Sequence, residues 1–211
     1  MRLDRLGGWV LGGGLALAAA SGIAAEAPKS GFYGALSAGG IVRNDVDATS
    51  GGVTGTFEFE PGFTFGAALG YRFGSIRLEG EFTYGRDAFD NLSLLGVNVG
   101  LTGDIDSYTF TGALYYDFRL PGGWSPYVGA GAGATHQSTQ NVTATVGGTT
   151  LALGGNDSTN FTAFGEIGVA YALSNRVELV PAYRFQYIND GGSGTDDSLL
   201  HHFKVGFRIG F

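Results

Sequence analysis

Between residues 63 and 73 the chain reads Phe-Thr-Phe-Gly-Ala-Ala-Leu-Gly-Tyr-Arg-Phe, apolar at every odd position and small or polar at every even one. A period of two predicts a β-strand with one apolar and one polar face. On the apolar face Phe63 and Phe65 fall at one end, Ala67 and Leu69 in the middle, and Tyr71 and Phe73 at the other end. Aromatic rims around an aliphatic middle mark a strand that faces lipid, because amphipathic rings settle at the two boundaries between water and hydrocarbon. The next segment repeats the scheme, with Ile76, Leu78, Gly80, Phe82 and Tyr84 on one face and Arg77, Glu79, Glu81 and Thr83 on the other. Only Gly74-Ser75 separates the two segments, which predicts a tight hairpin.

Six further segments continue the scheme, over residues 31–42, 106–120, 127–135, 161–173, 177–188 and 199–211, less cleanly in the first, where Gly39 and Gly40 dilute the alternation, and as a Gly/Ala strand in the third. In the second of these, Tyr108, Phe110, Leu114, Tyr116, Phe118 and Leu120 share one face. The lipid-facing aromatic girdles are therefore expected to include Phe63, Phe65, Tyr71, Phe73, Tyr108, Phe110, Tyr116 and Phe118. Pro181 falls inside the seventh segment, where a missing ladder hydrogen bond predicts a bulge or a local break. Connections are short at 74–75, 121–125 and 174–176 and long at about 43–61, 86–105, 136–160 and 189–198. Strands of about 10 to 13 residues suffice to cross the hydrocarbon at a tilt. The pattern predicts an all-β fold: an eight-stranded antiparallel up-and-down transmembrane β-barrel with four long outer loops and three short periplasmic turns. Closure is demanded by the solvent, since an open sheet edge in hydrocarbon leaves backbone groups unpaired.

With the aromatic faces turned to lipid, the barrel interior receives Arg72, Arg77, Arg119, Arg184, Lys204 and Arg208 together with Glu79, Glu81, Asp117, Glu166 and Glu178. Unpaired charge in a narrow, low-dielectric space costs several kcal/mol, so six cations and five anions are expected to pair as an ionic plug. Gly129, Gly131 and Gly133 also point inward and make room for large side chains from the opposite wall. Eight strands enclose just enough space for side chains. The alternative is a small ion pathway gated by the same salt bridges.

The ends add an address. Met1 to Arg5 is slightly basic, Leu6 to Ala20 is uncharged, and small residues lead up to Ala25, so residues 1–25 read as a cleaved signal peptide and 26–211 as the barrel domain. The final octet alternates as Lys204-Val205-Gly206-Phe207-Arg208-Ile209-Gly210-Phe211. Through Lys204, Gly206, Ile209 and Phe211 it resembles the C-terminal signal by which the barrel assembly machinery recognises outer-membrane proteins, which makes that machinery an expected partner. Cysteine is absent, which excludes disulfides and Cys-ligated metals. A formal net charge of −7 makes nucleic acid a poor partner. The loops carry most of it: Asp45, Asp47, Glu58, Glu60, Asp87, Asp90, Asp104, Asp106, Asp157, Asp190, Asp196 and Asp197 against Arg43 and Arg86. Such a surface is expected to be solvated and repulsive, with cation-bridged contact to lipopolysaccharide as a lesser alternative.

Four stretches carry a resemblance over the whole mature chain: Tyr115-Tyr116-Asp117-Phe118, the run from Pro126 to Gly133, the run from Gly168 to Leu173, and Tyr183-Arg184-Phe185. They resemble the small outer-membrane barrels that include the OmpA transmembrane domain and the Omp25-like and Opa-like surface proteins. The resemblance implies a monomer in the outer membrane of a Gram-negative bacterium, in contact with membrane lipid and lipopolysaccharide. It implies a structural surface-antigen role, envelope integrity with adhesion to a host or surface ligand through the loops. Unlike full-length OmpA, the chain is expected to lack a C-terminal peptidoglycan-binding domain, and no catalytic, cofactor or metal site is expected from its residues.

An enzyme is the weaker alternative. His136-Gln137-Ser138 is similar to the His-x-Ser pair of lipid A deacylases, but the acid that would orient the imidazole is missing from Gly147 to Thr150. His201 and His202 are adjacent in a strand and so point to opposite faces, which argues against a shared metal. Gly191 to Asp196 has the outline of one calcium nonapeptide, a motif that needs stacked copies. Gly129 to Gly133 has no following helix to bind a dinucleotide.

Overall fold

The computed structural model describes residues 30–50, 53–94, 97–146, 149–189 and 197–211. They form nine strands: β1 (Gly31–Arg43), β2 (Val46–Ser50), β3 (Val53–Phe73), β4 (Ile76–Leu94), β5 (Val97–Asp117), β6 (Trp124–Val146), β7 (Thr149–Ala172), β8 (Val177–Ile188) and β9 (Ser198–Gly210). The ladder runs β1-β9-β8-β7-β6-β5-β4-β3, and β1 pairs again with β3 from Gly31–Arg72 to Ile41–Gly62. Eight antiparallel strands thus close on themselves. The short β2 stays outside the wall and pairs with the outer part of β3, Val46 opposite Phe57.

Alternation sorts the side chains as the sequence predicts. Leu69 is 71 % exposed on the outer face and Arg72 only 4 % exposed on the inner one. Tight reversals at the periplasmic end use glycine where the backbone turns left-handed: Gly74 has φ 61° and Gly122 and Gly123 have φ 85° and 78°. At Pro181 the β7–β8 ladder stops at Gly168–Ala182 and resumes at Tyr171–Leu179 in the same register, so the proline makes a local break and no bulge.

The outer connections differ from the irregular loops expected at 43–61, 86–105 and 136–160. There the strands run on as paired hairpins, with β6 at 23 residues and β7 at 24. At about 3.3 Å per residue β6 is roughly 75 Å long, whereas a tilted strand needs only about 9–11 residues to cross the membrane. Val142, Thr143, Thr145, Val146, Thr149 and Thr150 are β-branched, and pairing satisfies backbone groups that a loop would leave to water. Register shifts at Glu58/Phe59, Glu60/Phe63, Ala88/Asn91, Thr102/Asp104 and Thr139/Val142 all lie on the outer side of the aromatic rows. They mark where the regular wall ends and the hairpins twist away.

Candidate functional site

The barrel interior is built in layers by the inward positions of all eight wall strands. Nearest the periplasm, Arg77 on β4 is the hub. Its Nε donates to both oxygens of Asp117 at 2.9 Å, and its Nη1 donates to the Tyr33 hydroxyl at 3.1 Å and to Glu79 at 3.3 Å. Tyr33 in turn donates to Glu79 at 2.6 Å, and the Arg77 guanidinium lies 4.4 Å from the Tyr115 ring centre and 5.0 Å from that of Tyr127. Arg72 and Arg208 share Glu178, at 2.7 and 2.8 Å.

One layer outward, Arg184 on β8 bridges two carboxylates. Its Nε donates to Glu166 at 2.7 Å and its Nη2 to Glu81 at 2.5 Å, while the guanidinium covers the Phe164 ring at 3.7 Å. Lys204 completes the square with Glu166 at 2.8 Å and Glu81 at 3.4 Å, and Tyr127 donates to the second oxygen of Glu166 at 2.8 Å. Five cations and five anions are therefore mutually paired across the two layers. A guanidinium suits this position because its planar fork serves two carboxylates and still stacks on an aromatic face.

Above the ions the interior turns neutral. Thr109 and Thr135 hydroxyls meet at 2.9 Å, and Gln186 donates to Thr162 at 2.9 Å. Ile41, Ile188 and Leu200 then form a small apolar cluster, and Arg43 holds Asp87 through two contacts of 2.6 and 3.2 Å with both side chains enclosed. A cavity of about 40 Å³ beside Glu81, Glu166 and Lys204 has room for a few waters at most.

Glycine sets how tightly these layers pack. A Cβ at Gly129 would collide with Tyr115, one at Gly168 with Tyr127, and one at Gly70 with Tyr33. Each glycine is the cross-strand partner of the ring that lies over it. Gly129→Leu is expected to cost about 1–3 kcal/mol by overpacking, and adding Tyr115→Ala to recover part of it, read by urea unfolding in lipid vesicles. A neutral Gly129→Leu would refute this close packing.

The expected interior set is thus brought together, with one correction. Arg119 carries the inward parity, but β5 ends at Asp117, so the alternation does not reach it; Arg119 is exposed at the periplasmic turn, not inside, and donates to the Gly74 carbonyl. Arg43 and Asp87 are not the solvated loop charges that the sequence leads one to expect, because they form the enclosed pair described above. Asp106 is also buried, accepting from Tyr84 at 2.6 Å. The signal for Arg43 and Tyr33 was available, since both share the inward parity of β1. Phe164 breaks the rule that aromatics face lipid, because Arg184 offers it a cation to stack on.

The expected girdle residues lie on the outer surface: Phe63, Phe65, Phe73, Tyr108, Phe110, Tyr116 and Phe118 are exposed, and Tyr71 packs between Phe32 and Phe73 with ring centres 4.7 and 4.3 Å apart. Of the C-terminal set, Ile209 and Phe211 point outward, while Lys204 points into the ion layer and Gly206 lies against the Leu36 carbonyl of β1. His202 is buried and His201 meets the Tyr183 hydroxyl at 2.6 Å, so the two stand on opposite faces as expected. Asp157 stands opposite Ser138 in the β6–β7 register, a carboxylate that reading along the chain did not find. His136 Nδ1 nevertheless meets the Thr159 hydroxyl at 2.9 Å, which leaves the imidazole oriented by a neutral group. Residues 1–25 and the 191–196 motif lie outside the described residues.

A closed sheet with a lipid-facing exterior and a charge-paired interior defines an integral outer-membrane β-barrel. Residues 13–211 match the outer membrane protein beta-barrel domain, and the chain belongs to that family. Among solved structures it is similar to Neisserial surface protein A, at 22 % identity, TM-score 0.55, over 86 % of this chain and 98 % of that one. OprG from Pseudomonas aeruginosa is similar at 14 % identity and TM-score 0.58, over 89 % of this chain and 100 % of that one. The outer membrane protease OmpT from Escherichia coli is similar at 8 % identity and TM-score 0.50, over 87 % of this chain and 97 % of that one. At these identities the likeness is one of fold, and a fold shared with a protease does not assign a role. Comparison with the curated proteins gives no significant sequence match.

Proposed function

We propose that the protein is a non-catalytic structural component of the outer membrane, a filled barrel that supports the envelope and holds strand-built hairpins in the medium. The observation that carries this reading is the interior: ten charges pair with one another across the two layers, and the cavity enclosed beside Glu81, Glu166 and Lys204 is only about 40 Å³. A plug of this kind stiffens the wall and blocks passage. The hairpins of β4–β5 and β6–β7 supply the outward surface, and exposed Asp45, Glu60, Asp157 and Asp197 keep it acidic. Neisserial surface protein A is by its name a surface protein, in keeping with that placement. A low-conductance pore is the second reading, supported by the same ion layers if their pairs exchange.

Planar-bilayer recording separates the two: the refolded protein is expected to be silent, and steady reproducible steps would replace the plug with a pore. Surface presentation has its own check, because the chain contains no cysteine to give background. Thr150→Cys should react with a membrane-impermeant maleimide on intact cells, and Asn175→Cys only after permeabilisation. The reverse order of labelling would refute the orientation. Loss of the protein should raise sensitivity to detergent, and unchanged sensitivity would remove the envelope role.

A further inference from the structure

Above the outer aromatic girdle the sheet of the wall opens. β8 ends at Ile188, opposite Thr162, and the last bond between β7 and β8 runs from the Asn189 N–H to the Phe161 carbonyl at 2.9 Å. Asn189 meets Asp197 at 3.2 Å, so the chain has already turned toward β9 at that level. β7 continues outward beside β6, from Thr159 opposite His136 to Leu151 opposite Ala144. The sheet outside the membrane therefore has two edges. One belongs to β3 and is covered by the five-residue β2. The other belongs to β7, and no second strand lies along it among the described residues.

Phe161 turns its carbonyl toward β8, and in a strand the N–H and C=O groups of every second residue share a side, so those of Asp157 and Thr159 point away from β6. The register is regular from Phe161 to Asn156 and shifts only beyond, where Gly154 has φ 84°. Lysine and proline, which commonly blunt a sheet edge, do not occur between residues 151 and 159. One row of side chains crossing the sheet here reads Arg86, Asp106, Ser138 and Asp157 from β4 to β7. Arg86 lies 3.9 Å from Asp106 and 2.6 Å from Asp104. Asp157, at the end of the row, is exposed and has no cation within ion-pair distance among the described residues.

We propose that the β7 edge docks an extended peptide segment of a partner protein, added as a strand beside residues 155–159 and carrying a lysine or arginine opposite Asp157. Backbone donors and acceptors on an edge are satisfied by another extended backbone. An opposite charge directly across a strand pair stabilises the pairing, and it extends the row that Arg86 begins. Exposed Asp45, Glu60 and Asp197 attract a basic segment at longer range and repel a second copy of this chain. β2 makes the same kind of addition from within the chain, laid along β3 from Val46 opposite Phe57 to Ser50 opposite Val53. Such docking in the cell rests on the outward placement of the hairpins proposed above; cysteine labelling reports that placement, whereas peptide binding to the refolded protein does not depend on it.

Fluorescence anisotropy with the refolded protein in nonionic detergent tests this, using as probe the labelled peptide Thr-Val-Thr-Lys-Thr-Val-Thr. The peptide is expected to bind saturably, one per barrel, and about fivefold more tightly than the same peptide with Glu in place of Lys. Asp157→Lys, on an exposed edge outside the membrane, should reverse that preference. N-methylation at Lys and at both Val, whose N–H groups would face β7, should abolish binding. No binding, equal affinity for the two peptides, a preference that Asp157→Lys leaves unchanged, or undiminished affinity after N-methylation would each overturn the proposal. So would dimers that exclude the peptide, which would give the edge to a second copy.

Discussion

Replacing Arg184 with Met is expected to lower the unfolding free energy by about 3–5 kcal/mol, measured by urea unfolding in lipid vesicles. The side chain is enclosed and holds Glu81 and Glu166 together. Without it, two buried carboxylates share the single ammonium of Lys204, and the uncompensated charge cannot reach bulk water. The cause is separable from lost packing. Adding Glu81→Gln leaves Lys204 and Glu166 as a one-to-one pair, so the double variant should regain about half of the loss, whereas a pure cavity effect would persist. A loss below about 1 kcal/mol would mean that water enters the layer freely, which favours the pore over the plug.

Leu69→Arg should be nearly as costly for the opposite reason. Leu69 projects from β3 midway between Phe65 and Tyr71, and a charge at the bilayer midplane on the lipid face costs about 2–4 kcal/mol. Glu60→Arg, only nine positions earlier but exposed beyond the last regular ladder, should change stability by no more than about 0.5 kcal/mol. Equal costs at the two positions would place the membrane elsewhere on the barrel.

These two positions show how legible the fold was in the chain. Leu69 reads as lipid-facing and Arg184 as interior from parity alone, because each strand declares its two faces every second residue. Parity fails where a strand stops: Arg119 has the inward phase of β5 but lies two residues past its end, and only the turn geometry reveals that. Pattern also cannot tell a paired hairpin from a loop when both are polar, so residues 136–160 read as a loop until β6 and β7 are seen to pair through them.

Period-two alternation, turn glycines and two bands of aromatics are properties of single strands, and the sequence by itself determined the barrel, its strand faces and the charges bound for the interior. Partnership was decided only by the tertiary structure. Arg72 meets Glu178 across 106 residues, Lys204 meets Glu81 across 123, and Arg43 meets Asp87 across 44. Which of ten charges face one another depends on the stagger between strands and on closure of β1 against β3. A one-residue slip at either would leave every strand's own pattern intact while changing all the pairs.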